Sequence, residues 1–331
     1  MMTTEEHTAQ THHGGMVWIE VTNGCNLACG HCYSDSSPGT SCRDSLSHAD
    51  YLRLIDEAFA AGFSTIQFIG GEPFLYKRLP ELIEFAQGIP FEHIEVFSNL
   101  TIPRPDVLAA IAPTRTSIAT SIYTDDPCIH DKITKKTGSF ERTVQGIQAA
   151  RQMGIELRAG FIEMADNAGH YERTKNILTK LGVHSVGFDR VRGFGRAGNS
   201  QILPALDQLC GTCSGNTICI TYDGTVLPCI MSRAWPIGSI ASSSIAELMR
   251  SQLSTSTRAS IRAAVSRRLE TEVRAEGCFP SPCDPCGPNY CQPSCQPGCA
   301  PGQSCNPCAP GGSNPCYPNE RCNPIGCGNL F

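Results

Sequence analysis

At 331 residues the chain has room for one large domain and a smaller one, and its formal net charge of −5 gives no electrostatic reason to expect a nucleic-acid partner. No apolar run approaches the ~18 residues that a membrane span needs, so no membrane partner is expected either. Twenty cysteines, nine before residue 230 and eleven between 278 and 327, are too many for an ordinary cytosolic enzyme and read as a disulfide framework or a set of metal sites.

Met1 to Gly15 is polar, lacks the charged-then-apolar layout of a secretory signal, and is expected to be a disordered lead-in that includes His7, His12 and His13. That favours metal sites over disulfides and a cytoplasmic location. The apolar run Met16 to Thr22 predicts a strand, and it leads into Cys25-Asn26-Leu27-Ala28-Cys29-Gly30-His31-Cys32-Tyr33. Three thiolates in one loop can hold three irons of a cubane and leave the fourth iron open. With a further ligand such as His31 they can instead hold zinc, and spacing alone does not separate the two.

From Val17 to about Arg192 short β-branched runs alternate with amphipathic stretches. Strands are predicted near 17–22, 64–69, 92–98, 115–122, 156–163 and 184–191. Helices are predicted near 47–61, 79–87, 104–111, 139–153 and 169–181. In the first helix Ser47 suits the N-cap, Gly62 suits the C-terminal end, and Leu52, Leu54, Ile55, Ala58 and Phe59 form the apolar stripe. Six strand/helix pairs predict an α/β fold, a partial (β/α)6 TIM-like barrel with its functional residues at the strands' C-terminal ends. The cysteine loop sits at the first such end. At the second lies Gly70-Gly71-Glu72-Pro73, where two glycines permit close backbone approach, Glu72 can accept from an amine and Pro73 fixes the exit.

Cys25, Cys29 and Cys32 with Tyr33, followed one β/α unit later by Gly70 to Pro73, resemble the radical S-adenosylmethionine (SAM) enzymes. The resemblance implies a 4Fe–4S cluster on the three cysteines and SAM on its open iron. It also implies reductive cleavage of SAM to a 5′-deoxyadenosyl radical that abstracts a substrate hydrogen, with a flavodoxin or ferredoxin as electron donor. Gly70, Gly71, Glu72 and Pro73 match the segment that holds the SAM amino group, and Ser98, Asn99 and Ser121 match positions that contact its ribose and carboxylate. The stretch from Ile129-His130-Asp131-Lys132 to Gly138-Ser139-Phe140 looks like the peptide-modifying branch. Two departures stand out: Ser121-Ile122-Tyr123-Thr124 replaces Ser-Leu-Asp-Gly, and Thr134 replaces an arginine. Lys135 and Arg158 are therefore candidates to face the SAM carboxylate. Asn167 is a candidate cofactor contact, and Arg192 and Arg196 suit either SAM and substrate or surface ion pairs.

After Asn199 the alternation stops. Asp223-Gly224 between two β-branched runs predicts a hairpin, followed by a helix around 244–250. Cys213, Gly224 and Cys229, with Cys219 between, resemble the SPASM extension that starts an auxiliary cluster site; a zinc site on Cys210, Cys213, Cys219 and Cys229 is the alternative. Residues 251–276 read as an Arg-rich helical linker. Cys283, Cys286, Cys291 and Cys295 resemble the second SPASM block, except that its middle gap is four residues here instead of five. By the family pattern Cys295 would return to the first auxiliary cluster, and the others would hold a second. From Cys278 to Cys322 every cysteine is followed two positions later by proline, which forbids helices and interior strands. Cys42 and Cys128 are expected to be buried small hydrophobes. Glu163, Tyr222 and Asp223 are candidate acid/base groups.

The expected organisation is a lead-in over 1–15, a radical SAM partial barrel over 16–200, a cysteine-rich SPASM-like iron–sulfur domain over 201–308 and a Cys/Pro-rich tail over 309–331. The resemblance implies modification of a ribosomally made peptide or protein side chain. A small-molecule substrate and a non-catalytic cysteine-rich metal-binding protein are the alternatives.

Overall fold

The β-branched runs assemble into one sheet because alternate residues of each strand bury on opposite faces. The structure, a computed structural model, describes residues 14–41, 45–198 and 204–275. Cys42, residues 1–13 of the lead-in, the second cysteine block (Cys283, Cys286, Cys291, Cys295) and the tail lie outside the described residues, whereas Gly15, expected in the lead-in, begins the first strand. Six strands, β1 (Gly15–Glu20), β2 (Phe63–Ile69), β3 (His93–Phe97), β4 (Ser117–Ser121), β5 (Leu157–Glu163) and β6 (Ser185–Arg190), pair in parallel in chain order. The fold is α/β, as expected, and every predicted strand is present.

Helices α1 (His48–Ala60), α2 (Leu79–Gln87), α3 (Pro105–Ile111), α4 (Pro127–Thr134), α5 (Ser139–Gln152) and α6 (Tyr171–Lys180) lie between these strands. Ser47 and Asp50 cap α1 reciprocally, and Gly62 ends it in the left-handed region at φ +94°. Its buried face is Tyr51, Leu54, Ile55 and Ala58, with Leu52 and Phe59 only partly covered. Two departures from six strand/helix pairs matter below. An unexpected helix, α4, follows β4, and among the described residues no α-helix lies between β6 and residue 217; a single 3-10 turn at Gly195–Ala197 takes the strand's exit.

The hairpin β7 (Thr217–Ile220) and β8 (Thr225–Leu227) forms as expected, with Gly224 at φ +85° in its turn, and β9 (Gly238–Ser239) adds to it. β7 pairs in parallel with β1, so the strand order is 6-5-4-3-2-1-7-8-9. Helix α7 (Ile245–Arg250) carries its own capping box from Ser244 and Glu247. Helix α8 (Gln252–Ala275), expected to be a linker, is a packed element. Ser254, Arg258, Ile261, Ala264 and Val265 are buried at helical spacing, and Ile261 and Val265 join Leu209 and Cys213 in one core.

Two apolar cores result. Val17 and Ile19 of β1 face the helices with Leu54, Phe68 and Leu82, whereas Trp18 faces inward with Phe194, Cys213, Cys219 and Cys229. A polar group crosses the inner face of β2 to β5. Glu95, its side chain 3% exposed, accepts from Gln67 Nε2 and from Arg158 Nε (2.7 Å) and Nη2 (2.6 Å). Burial pushes the Glu95 carboxyl up, but hydrogen bonds from His93, Arg158 and Gln67 and the Arg158 charge outweigh that and hold it at about 2. A depressed carboxyl contributes stability above its ordinary value of 4.5 and loses it as pH falls through 2. Chemical denaturation between pH 5 and 2 should therefore show an acid-dependent loss of roughly 3 kcal/mol that Glu95→Gln lacks.

Candidate functional site

The three thiols Cys25, Cys29 and Cys32 lie in an irregular loop after β1, and most of its backbone partners come from elsewhere in the chain. Ala28 N and Gly30 N donate to the carbonyls of Thr134 and Ile133 at the end of α4, both at 3.1 Å. Asp131 fixes that helix end against α5 by accepting from Phe140 N (3.0 Å) and Ser139 Oγ (2.8 Å). From the β6 exit, Arg196 donates its N to Cys32 O (3.0 Å), Nε to Cys29 O (2.8 Å) and Nη2 to Ser36 O (2.7 Å), and pairs with Asp35. From the β3 exit, Asn99 Nδ2 donates to Asn26 Oδ1 at 2.9 Å, and Asn26 Nδ2 donates to Thr101 Oγ1.

Gly70 and Gly71 extend the β1–β2 pairing into the loop. Gly71 N donates to Thr22 O (2.8 Å) and Glu72 N to Gly24 O (2.9 Å). Gly70 sits at φ +148°, and a Cβ there would fall 2.3 Å from Thr22 O; one on Gly71 would fall 2.2 Å from Gly24 O. Glu72 is 1% exposed and accepts from Phe74 N, Ser98 Oγ and Asn99 N at 2.7–2.9 Å. Its carboxylate is thus spent on joining the β2 exit to the β3 exit. Burial pushes it up to about 7, with those three donors pulling the other way.

A cleft forms where these segments meet. Of the expected residues it brings together Cys25, Cys29, Cys32, Gly70, Gly71, Asn99 and Ser121, while Glu72, Pro73 and Ser98 lie behind its wall. Lys135 and Arg158 do not line it; the cations that do are Arg190, Arg192 and Arg196. Lys135 ends α4 in the left-handed conformation. Asn167 is fully buried and braces the backbone, donating to Tyr123 O (2.7 Å) and Ile162 O (2.9 Å). Glu163 pairs with Arg190 at 3.4 Å. Tyr222 and Asp223 line a second, polar cavity with Thr40 and Arg233, which meets the first at Ser34. Cys128 is exposed, because it falls in the first turn of α4 beside Pro127.

Sequence reasoning missed α4, Tyr123 and Arg190. The signal for α4 was present in Asp126-Pro127: Asp126 caps the helix by accepting from Cys128 N and Ile129 N, and Pro127 takes its first turn. Tyr123 stands where an Asp was expected; its ring lies edge-on to His31 at 4.6 Å, and its hydroxyl bonds the Ser121 side chain.

The chemistry of the cleft suits a cluster. Burial pushes the Cys25 thiol up to about 12, helped by the Glu72 and Cys32 charges, and Cys29 likewise to about 12, helped by Cys32 and Cys25. Three soft donors that oppose one another's ionisation would be relieved by an iron–sulfur core between them. His31 is held neutral, pushed down to about 4 by burial, and its buried Nδ1 has no hydrogen-bond partner. Among the described residues no three His, Cys, Asp or Glu side chains converge on a single metal position. A cubane does not require that convergence, because it spreads its thiolates over separate irons.

The hairpin region carries a second thiol group. Cys213 and Cys229 are hydrogen-bonded to each other, and each feels the charge of Cys210. Cys219 is fully buried among Glu20, Arg233 and Cys229. The geometry therefore groups Cys210 with Cys213 and Cys229, and sets Cys219 toward Glu20.

A family model of the radical SAM superfamily matches residues 19–164, and the model of an iron-sulfur cluster-binding domain, SPASM, matches residues 210–287. Residues 19–164 thus make up a radical SAM domain. A SPASM domain follows it, and the cofactors that these two kinds of domain take are SAM and 4Fe–4S clusters. It is 27% identical over 191 residues to the antilisterial bacteriocin subtilosin biosynthesis protein AlbA of Bacillus subtilis (strain 168), covering 57% of this chain and 42% of that one. It is 28% identical over 167 residues to the AdoMet-dependent heme synthase of Oleidesulfovibrio alaskensis, covering 49% and 42%. The chain spans less than half the length of these curated relatives. Streptococcus suis SuiB bound to SAM shares the fold, with a TM-score of 0.62 at 11% identity over 75% of this chain and 68% of that one; SuiB has also been solved bound to precursor peptide SuiA.

The glycine pair gives a direct test of this geometry. Gly71→Ala should cost about 1–3 kcal/mol in thermal or denaturant unfolding, because the loop backbone at Gly24 has to move. Alanine at exposed Gly154, where nothing lies within 4 Å of a Cβ but φ is +75°, serves as the strain-only control.

Proposed function

We propose that this protein is a peptide-modifying radical SAM enzyme. The observation that carries the reading is the cleft in which Cys25, Cys29 and Cys32 face Gly70, Gly71, Asn99 and Ser121. When bound, the cluster and SAM would supply reductive cleavage of the sulfonium to methionine and a 5′-deoxyadenosyl radical that takes a hydrogen atom from the substrate. Cys25, Cys29 and Cys32 would hold the cluster. The backbone at Gly70 and Gly71 would receive the SAM amino group, with Glu72, Pro73 and Ser98 setting that backbone from behind. Asn99 and Ser121 would contact the rest of SAM, and Arg190, Arg192 and Arg196, each ion-paired with a carboxylate, line the same cleft. Tyr123 and His31 would exclude water from one side.

Cys213 and Cys229, with Cys210 or Cys219 and with Cys283, Cys286, Cys291 and Cys295, would hold one or two auxiliary clusters. A peptide or protein side chain is the substrate class supported by the similarity to a bacteriocin biosynthesis protein and to the peptide-bound SuiB fold. The similarity to a heme synthase supports a small molecule as the second reading. A flavodoxin- or ferredoxin-type donor would deliver the electron. Among the described residues no helix is long and apolar enough to cross a membrane and no disulfide is formed, which suits a reducing cytoplasm.

Anaerobic reconstitution with iron and sulfide, followed by dithionite and SAM, tests the reading by mass spectrometry of 5′-deoxyadenosine. Changing Cys25, Cys29 and Cys32 together to Ala should remove about four irons and abolish cleavage. Cleavage that survives the triple change ends the proposal.

A further inference from the structure

Among the described residues Arg258 is a buried cation with no anion beside it. Its residue is 8% exposed on α8, one turn before Ile261 in the core that holds Cys213, Cys219 and Cys229. Nη1 donates to the carbonyls of Cys213 (2.9 Å) and Gly215, Nη2 to Thr217 O (2.7 Å) and Met249 Sδ (3.4 Å), and Nε to Ser254 Oγ (3.2 Å). Every one of these partners is neutral. The other inward-facing arginines are matched: Arg158 by Glu95 and Arg233 by Glu20. Among the described residues Arg258 makes no such ion pair.

A guanidinium cannot shed its proton to escape burial, and an unmatched buried charge is costly. The guanidinium closes the turn that carries Cys213, through the carbonyls of Cys213, Gly215 and Thr217, inside the core that also holds Cys219 and Cys229. An iron–sulfur centre on those cysteines would bring thiolates there and supply the missing counter-charge.

We propose that Arg258 is the built-in counter-charge of an anionic, thiolate-held iron–sulfur centre at Cys213 and Cys229, and that it raises that centre's reduction potential. The inference rests on the auxiliary-cluster reading above. A fixed positive charge favours the state with one more electron, and net charge and hydrogen bonding are what a protein uses to set a cluster's potential. Arg258 is a positioning and electrostatic residue; it touches the Cys213–Thr217 turn and not the substrate.

The test uses the full chain carrying Cys25→Ala, Cys29→Ala and Cys32→Ala, reconstituted anaerobically and titrated with a reductant while electron paramagnetic resonance is recorded. The signal in question is the one lost on Cys213→Ala. Arg258→Gln should lower the reduced-to-oxidised ratio at fixed potential about tenfold, which is ~59 mV for one electron. Arg258→Lys, which keeps the charge, should stay near the unsubstituted value. Ser254→Asp leaves the guanidinium on its carbonyls but neutralises it, and should shift the ratio in the same direction as Arg258→Gln. That variant decides the matter if Arg258→Gln loads no iron. A signal that Ser254→Asp leaves unmoved, or equal shifts for Arg258→Gln and Arg258→Lys, overturns the counter-charge role while leaving the cluster in place. Absence of any iron signal that depends on Cys213 removes the auxiliary-cluster reading, and this inference with it.

Discussion

The cysteine loop cannot satisfy its own backbone, and the rest of the barrel mouth is arranged around that fact. Between Cys25 and Cys32 the internal bonds are Cys32 N to Cys29 O and the contact of Leu27 N with Cys25 Sγ. Other backbone groups there are met by Ser37 O, the carbonyl end of α4 and Arg196, while the β3 exit holds the Asn26 side chain and the Gly71–Glu72 step holds the backbone just before Cys25. Buried backbone groups left unmet are costly, so each supplier constrains where the thiols point. Thiol placement is therefore a property of the barrel's strand exits and only secondarily of the cysteine spacing. Gly195 illustrates this: at φ +54° its backbone lies against Cys32 O, where a Cβ would sit 2.2 Å away.

The inner face of the sheet follows a related rule. It carries charge where apolar packing would be expected, and each buried charge is tied down. Glu95 is gripped by Arg158 and Gln67, Glu20 by Arg233, and Glu72 by three donors of its own chain. Breaking one partner of such a set is far more damaging than never having built it. This gives the barrel interior a fixed polar floor beneath the cleft, while the helix-facing side is held by ordinary apolar burial.

Much of this was legible from residues alone, for identifiable reasons. The strands could be read because their β-branched runs are short and evenly spaced, and Ser47, Gly62 and Asp223-Gly224 mark ends and turns by local chemistry that tertiary structure did not override. The thiol loop and Gly70–Gly71 were legible as a pair. For Glu72 the sequence shows that a carboxylate is available but not that Phe74 N, Ser98 Oγ and Asn99 N already donate to it. Helix α8 looked like a linker because a single narrow stripe, Ser254, Arg258, Ile261 and Val265, is buried, and two of those residues are polar. The grouping of Cys210 with Cys213 and Cys229 depends on how the turn before β7 folds, which spacing does not encode.

The two thiol groups share one strand. β1 pairs with β2 on one side and with β7 on the other, in a register that places Trp18 opposite Cys219. It then runs directly into the cysteine loop. Glu20, at its last position and 1% exposed, pairs with Arg233, which lies 5.8 Å over the ring of Tyr33, the residue after Cys32. Moving the hairpin relative to the barrel would break the β1–β7 ladder and strand a buried carboxylate, so the two groups are held in one frame. The sequence changes character near residue 200, but the sheet is continuous across that change, and this continuity fixes how an electron-accepting centre in the hairpin would sit relative to the cleft.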